Sequence, residues 1–320
     1  MSSSENTSAP GDNTGSGGPI DAAEPEPIKA VPLRRPGRWI AAAIILVLLG
    51  LFIYGAATNP AYGWGTYRKY LFDSRIASGA MVTLELTVLA MAIAIVLGAL
   101  LAVMRLSPNP VLRAVAWVYL WIFRGTPVFV QLVFWGLFPS LYKSIQLGVP
   151  FGPEFIRVDV QGLQAAFAFA VIGLALNEAA YMAEIVRAGI NSVGEGQREA
   201  STALGMSWSQ TMRRTVLPQA MRVIIPPTGN ELIGMLKTTA LVTAIPLSTD
   251  LYGRARDIYG VNFQPIPLLL VTATWYLAVT SVLMVGQYYL ERYYSRGVTR
   301  QLTTKQLQEL ADAQTIVKAK

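Results

Sequence analysis

The sequence predicts an all-α integral membrane protein with six transmembrane helices. Three observations carry that expectation. Charged residues make up only 14% of the chain against 53% hydrophobic, where soluble domains carry about 25% charged residues. The apolar residues are bunched, with no charge from Trp39 to Tyr67 and none from Ile258 to Leu290. About 20 such residues in a helix cross a hydrocarbon core about 30 Å thick. Lys and Arg are also unevenly shared between the loops on the two sides, which fits the rule that cytoplasmic loops are the positive ones.

In chain order, residues 1–38 are rich in Ser, Gly, Pro, Glu, Asn and Asp and hold almost no large apolar side chain. Such a segment buries too little surface to offset the entropy of ordering, so a disordered cytoplasmic tail is expected. It ends in Arg34, Arg35 and Arg38, directly before the first apolar run. A cleaved signal peptide is the competing reading, since Gly55-Ala56-Ala57 offers small residues for cleavage. The long leader and the long apolar stretch argue against it. The spans are placed near 39–57, 79–104, 113–138, 164–187, 222–247 and 265–290, followed by a cytoplasmic tail over 298–320. With both termini inside, the cytoplasmic segments collect about two-thirds of the 26 Lys and Arg.

Composition excludes several kinds of chemistry. Cys and His are both absent, which removes disulfides, thiolate nucleophiles, His acid–base catalysis and the usual zinc sets. No Gly-Lys dipeptide occurs, so the chain has no phosphate-cradling P-loop. No cofactor or metal is expected on this chain. In so apolar a protein, the net charge of +7 is explained by basic cytoplasmic loops rather than by nucleic acid.

The loop at 195–218 is the most informative stretch. Residues 197–204 fit a short helix with Ala200, Ala203 and Leu204 on one face and Arg198, Glu199 and Thr202 polar. Gly205 suits the left-handed position that ends a helix, and Pro218 stops what precedes it or opens a new helix. A face of mostly small residues fits close docking into a groove on another protein. An amphipathic loop helix lying on the lipid surface is the alternative.

Glu199-Ala200, then Gly205, then Leu217-Pro218 resembles the EAA loop of binding-protein-dependent ABC importers. Two positions depart from that pattern: Ser201 replaces an Ala, and Thr215 stands where Ile is usual. The stretch Gly79 to Ser107, Phe123-Arg124-Gly125-Thr126-Pro127 with Val130-Gln131, Ala179 to Ile190, and Leu217 through Gly229-Asn230 and Leu236-Lys237 extend the likeness. They resemble the polar amino-acid (histidine, glutamine, arginine, opine) branch over roughly residues 70–297. Thr238 stands where many relatives have Asp or Asn, which leaves that position without an inherited role.

The resemblance implies a type I ABC importer transmembrane domain of five core helices, with the 39–57 span as an N-terminal addition. It implies a permease subunit in a prokaryotic cytoplasmic membrane that moves a polar amino acid by alternating access. The implied partners are ABC ATPase subunits, which bind ATP and Mg, an extracytoplasmic amino-acid-binding protein, and a second permease copy or sister permease, all within membrane lipid. Coupling to the ATPase would fall to Glu199, Ala200, Ser201, Leu204, Gly205, Leu217 and Pro218.

Charges inside the bilayer cost at least about 2.5 kcal/mol each and require an explanation. Arg124, Glu178, Glu231 and Lys237 all fall near mid-membrane by residue count from the cytoplasmic ends. Glu231 and Lys237 are separated by about 240° on a helix and cannot pair with each other. A zwitterionic amino acid needs a carboxylate and a cation, which Glu178 with Arg124 or Lys237 would supply. Mutual neutralisation of Arg124 and Glu178 is the competing expectation. Pro127 disfavours helix at Thr126, and broken helix at membrane depth is tolerated only against protein or a water-filled path. Arg124, Thr126, Glu178, Glu231 and Lys237 are therefore the candidate pathway residues. Glu184 and Arg187 are expected to pair locally, and Glu85 to line the outer mouth. Trp117, Tyr119, Trp121, Trp275 and Tyr276 are read as packing or interfacial anchors. The rival functions are an ion-gradient-driven secondary transporter or channel, which has no use for the 195–218 loop, and a membrane scaffold for a soluble partner.

Overall fold

The computed structural model describes residues 36–149 and 154–294. The tail expected up to residue 35, and everything after residue 294, lie outside the described residues. Two units emerge, divided after Thr58. The first contains α1, Pro36–Thr58. Its large apolar side chains, from Trp39 and Ile40 to Ile53 and Tyr54, are exposed on every side, as in a helix surrounded by lipid.

The second unit is built around α3 (Ser74–Leu106) and α6 (Gly162–Asn191), which pack along much of their length. Gly98 permits this approach: a Cβ there would stand 2.5 Å from the Met182 Cβ and 3.0 Å from the Ala179 carbonyl oxygen. Small residues Ala94, Ala102, Ala179, Ala180 and Ala183 line the same seam and are buried. Between membrane helices association rests on close van der Waals packing, so small side chains are what a tight pair requires. Towards the N-terminal half of α6, a second buried core joins Leu132 of α5 (Val128–Leu141) to Met235 of α9 (Leu217–Thr238) and to Val242 of the 3-10 turn Thr239–Ala244. At one end, α2 (Trp64–Tyr70), α10 (Leu251–Asn262) and α11 (Pro265–Tyr294) enclose Ile76, Leu251, Leu268 and Val271. Trp275 Nε1 donates to the Leu71 carbonyl at 2.7 Å and ties α11 to the end of α2.

Among the described residues, four helices are long and apolar enough to cross a membrane: α1, α3, α6 and α11. The expected span at 113–138 is instead a bent pair, α4 (Pro110–Gly125) and α5, meeting at 102°. Pro127 explains the bend, because it offers no N–H to the preceding turn and holds Thr126 in an extended conformation. The expected span at 222–247 is α9 with the 3-10 turn, and it does not pass the same measure. Arg222, Glu231, Lys237 and the internal Pro226-Pro227 make it too polar and too interrupted. By length and composition alone the described residues thus hold four candidate spans, or five with the bent pair, and do not confirm the sixth.

A hairpin interrupts the otherwise helical chain. Strands β1 (Ser144–Gly148) and β2 (Glu154–Asp159) pair antiparallel, with Ser144 opposite Asp159 and Ile145 opposite Val158. Polar and apolar pairs alternate along it, as strand geometry requires.

Candidate coupling loop and membrane-embedded polar site

The loop helix expected at 197–204 is α7, Glu195–Ala203. Its C-terminus closes on Gly205, at φ 75°. Gly205 N donates to Thr202 O at 2.9 Å and Met206 N to Ser201 O at 3.1 Å, the paired bonds of a Schellman ending. The chain turns at once into α8, Trp208–Thr211, where Ser207 and Gln210 form a reciprocal capping box. A π-helical segment, Met212–Val216, carries the chain into α9, with Pro218 in the first turn where its missing N–H costs nothing.

Side chains hold α7 against the rest of the unit. Arg198 Nη2 donates to the Ile190 carbonyl at 2.7 Å, at the end of α6. Ser201 is buried; its hydroxyl bonds Gln197 O at 2.8 Å and meets the Thr215 hydroxyl at 2.9 Å. The two positions that depart from the loop pattern are therefore in contact with each other. Glu199, Ala200 and Ala203 are exposed, Leu204 is 81% exposed and Trp208 73%. Among the candidate loop residues, Ser201 faces inward, Leu217 is half-buried at the start of α9, and Glu199, Ala200 and Leu204 face out.

Within the membrane helices the candidate residues separate. Glu178 of α6 is 7% exposed, and its Oε1 has no hydrogen-bond partner. Its acidic neighbour is Glu231 of α9, close enough for the two carboxyls to act on each other electrostatically. Arg124 is elsewhere: its guanidinium lies 5.4 Å over the Tyr181 ring. Among the described residues the ion pairs are Arg75 with Asp73, and Glu184 with Arg105 and Arg187. The Glu178–Arg124 pairing is thus not formed, and α4 and α6 present these two groups to different surroundings. Lys237 and Glu85 are exposed. Glu184 and Arg187 do pair, at 2.7 Å.

Sequence reasoning missed the residues that stabilise the break. Gln131 Nε2 is 2.7 Å from the Thr126 hydroxyl and 3.1 Å from the carbonyls of Phe123 and Thr126. Asn177 Nδ2 donates to Phe123 O at 3.0 Å and to Gln131 Oε1 at 3.1 Å. Carbonyls orphaned at the end of α4 are in this way satisfied inside the protein, the condition for broken helix at membrane depth. The available signal was two amide side chains within apolar runs, where each requires partners.

Residues 94–296 match the family described as "binding-protein-dependent transport system inner membrane component". The chain belongs to that family. It is a multi-pass membrane protein, the permease subunit of an ABC importer that works with an ATPase partner, and it is a transport subunit rather than an enzyme. The chain is 65% identical over 293 residues to the arginine transport system permease protein ArgU of Corynebacterium glutamicum, covering 91% of each. It is 36% identical to the histidine/lysine/arginine/ornithine permease HisM of Escherichia coli, over 65% of this chain and 83% of that one. Among solved structures it resembles an amino acid ABC transporter with histidines, at TM-score 0.58 and 34% identity, covering 69% of this chain and 95% of that chain. The fold is shared with the MetNI methionine transporter at TM-score 0.53 and 20% identity, over 70% of this chain and 98% of that one.

Proposed function

We propose that this permease carries a cationic amino acid into the cell and that the carboxyl pair Glu178–Glu231 receives the positive group. The observation that carries the reading is a carboxyl buried at membrane depth with an unpartnered oxygen, a second carboxyl beside it, and Arg124 away over Tyr181. Such a pair is relieved by a cation, and an ammonium or guanidinium brings charge-assisted hydrogen bonds as well. The permeases named for arginine and for histidine, lysine, arginine and ornithine support that substrate class. Thr126, beside the bend, and Lys237 would line the path, and Arg124 would stand nearer the cytoplasmic side.

Coupling would run through α7. Glu199, Ala200 and Leu204 form the exposed face offered to the ATPase, Gly205 sets the sharp exit, and Ser201 ties the helix inward. Leu217 and Pro218 pass the movement into α9, which carries Glu231. ATP and Mg would be bound by the ATPase partner, with no cofactor on this chain. A binding protein would deliver substrate to the outer face, and a second permease copy or sister would complete the pathway. The setting would be a prokaryotic cytoplasmic membrane with both termini inside.

Uptake of labelled arginine, lysine and glutamine by cells lacking the chain tests this. Wild type should restore uptake of a cationic amino acid, Glu178→Gln should lower it at least tenfold, and Gly205→Asp should abolish it while the protein stays in the membrane. Full uptake by Glu178→Gln would remove the carboxyl pair from the pathway. Full uptake by Gly205→Asp would remove the coupling role of the loop.

A further inference from the structure

A second polar site lies between α3, α4 and α6. A cavity of about 400 Å³ is lined by Arg105, Trp117, Trp121, Arg124 and Glu184. Its charges do not balance. Glu184 is engaged twice by Arg187, at 2.7 and 3.0 Å, and more loosely by Arg105 at 3.9 Å. Arg124 acts on Glu184 only at longer range, makes no direct ion pair with a carboxylate among the described residues, and rests on the Tyr181 ring. The final turn of α4 gives its guanidinium some help through the helix dipole, but a cation at this depth still favours an anion.

The walls and the depth say which anion fits. The Trp117 and Trp121 indoles stack with centroids 6.2 Å apart and planes 4° from parallel, and both are exposed. Counted from Arg113 and Arg187, the indoles, Glu184 and Tyr181 lie roughly 5–12 Å inside the cytoplasmic helix ends; the Arg124 backbone is about 16 Å in, but its guanidinium reaches back over the Tyr181 ring. Tryptophan is enriched at that boundary, and basic pockets between helices on the cytoplasmic side suit acidic headgroups.

We propose that this cavity binds the headgroup phosphate of an anionic phospholipid of the cytoplasmic leaflet, with Arg124 and Arg105 donating to the phosphate and Trp117 and Trp121 flanking the glycerol region. The proposal rests on the cytoplasmic orientation given under the proposed function. It is separate from the Glu178–Glu231 pair, whose chemistry has the opposite sign.

The test is native mass spectrometry of the purified permease–ATPase complex in detergent, titrated with phosphatidylglycerol or with phosphatidylcholine. Wild type should retain phosphatidylglycerol in preference to phosphatidylcholine. Arg124→Gln and Arg105→Gln should each weaken that retention about fivefold, the worth of one arginine near an anionic headgroup. Arg213→Gln, on the loop outside the cavity, should leave it unchanged. Equal retention by wild type and the Arg105→Gln/Arg124→Gln double variant would overturn the proposal. Displacement of phosphatidylglycerol by millimolar free arginine would also overturn it and make the cavity a substrate carboxylate subsite. Loss of the transport reading would appear in uptake, and a reversed orientation in the accessibility of terminal tags. Neither would alter lipid retention.

Discussion

Removing either hydroxyl of the Ser201–Thr215 contact should cost more than removing both. Ser201 is 4% exposed, and its oxygen serves two partners, Gln197 O at 2.8 Å and Thr215 Oγ1 at 2.9 Å. Ser201→Ala leaves Thr215 without its side-chain partner; Thr215→Val leaves Ser201 with its own helix carbonyl alone. An ordinary hydrogen bond contributes about 0.5–1.5 kcal/mol, and a buried group left unsatisfied costs about 1–3 kcal/mol. Each single change should therefore destabilise by about 1 kcal/mol. The double variant Ser201→Ala/Thr215→Val puts two apolar groups face to face and should return near wild type, a coupling energy of about 2 kcal/mol. The assay is a double-mutant cycle on unfolding of the purified complex, read with transport-coupled ATP hydrolysis in proteoliposomes. If the contact carries movement from α7 to the π segment, the single variants should hydrolyse ATP with less transport per turnover. Strictly additive stabilities with unchanged coupling would refute the reasoning.

Other outcomes follow from the packing. Gly98→Ala drives a methyl against Met182 and the Ala179 carbonyl, and the overpacked α3–α6 seam should lose about 1–3 kcal/mol, measured as a lower unfolding midpoint. Asn177→Leu strips donors from the Phe123 carbonyl and from Gln131, and should lower stability by about 1–3 kcal/mol and reduce uptake. Asp250 caps α10 through the amides of Tyr252 and Gly253, and burial pushes its carboxyl up from 3.8 to about 6. The folded state therefore holds the Asp250 proton more tightly than the unfolded chain. Stability should rise as pH falls from about 7 towards 4, by up to about 3 kcal/mol from this group. Asp250→Asn keeps an acceptor for the cap and should remove that share of the pH dependence, seen as the difference between the two unfolding profiles.

What the sequence shows and what it hides divide along physical lines. Helices α1, α3, α6 and α11 are legible because long, largely apolar runs leave no other way to satisfy the backbone in lipid. The ending at Gly205 is legible because a left-handed residue at a helix end favours glycine. The hairpin from Ser144 was missed although its alternation is present, because two short strands are a weak signal beside long apolar runs. The region around Glu231 was read as a full span because its apolar residues outnumber its charges. Its prolines and charges keep it below the apolarity that the other helices reach. Contacts between helices are the hidden part. Nothing in the spacing of Glu178 and Glu231 says they meet, or that Arg124 turns to Tyr181, since those facts depend on how α4, α6 and α9 rotate against one another.

The amide network at the bend has a consequence for how the protein changes shape. One carbonyl, that of Phe123, is held by Asn177 of α6 and Gln131 of α5 together. Sliding α6 by a single residue, about 1.5 Å, would carry the Asn177 donor off its acceptor. Any movement of α6 past the break would therefore require the bonds to Phe123, Thr126 and Gln131 to be exchanged as a set. A transporter built this way would move between a few defined shapes rather than bend continuously at this point.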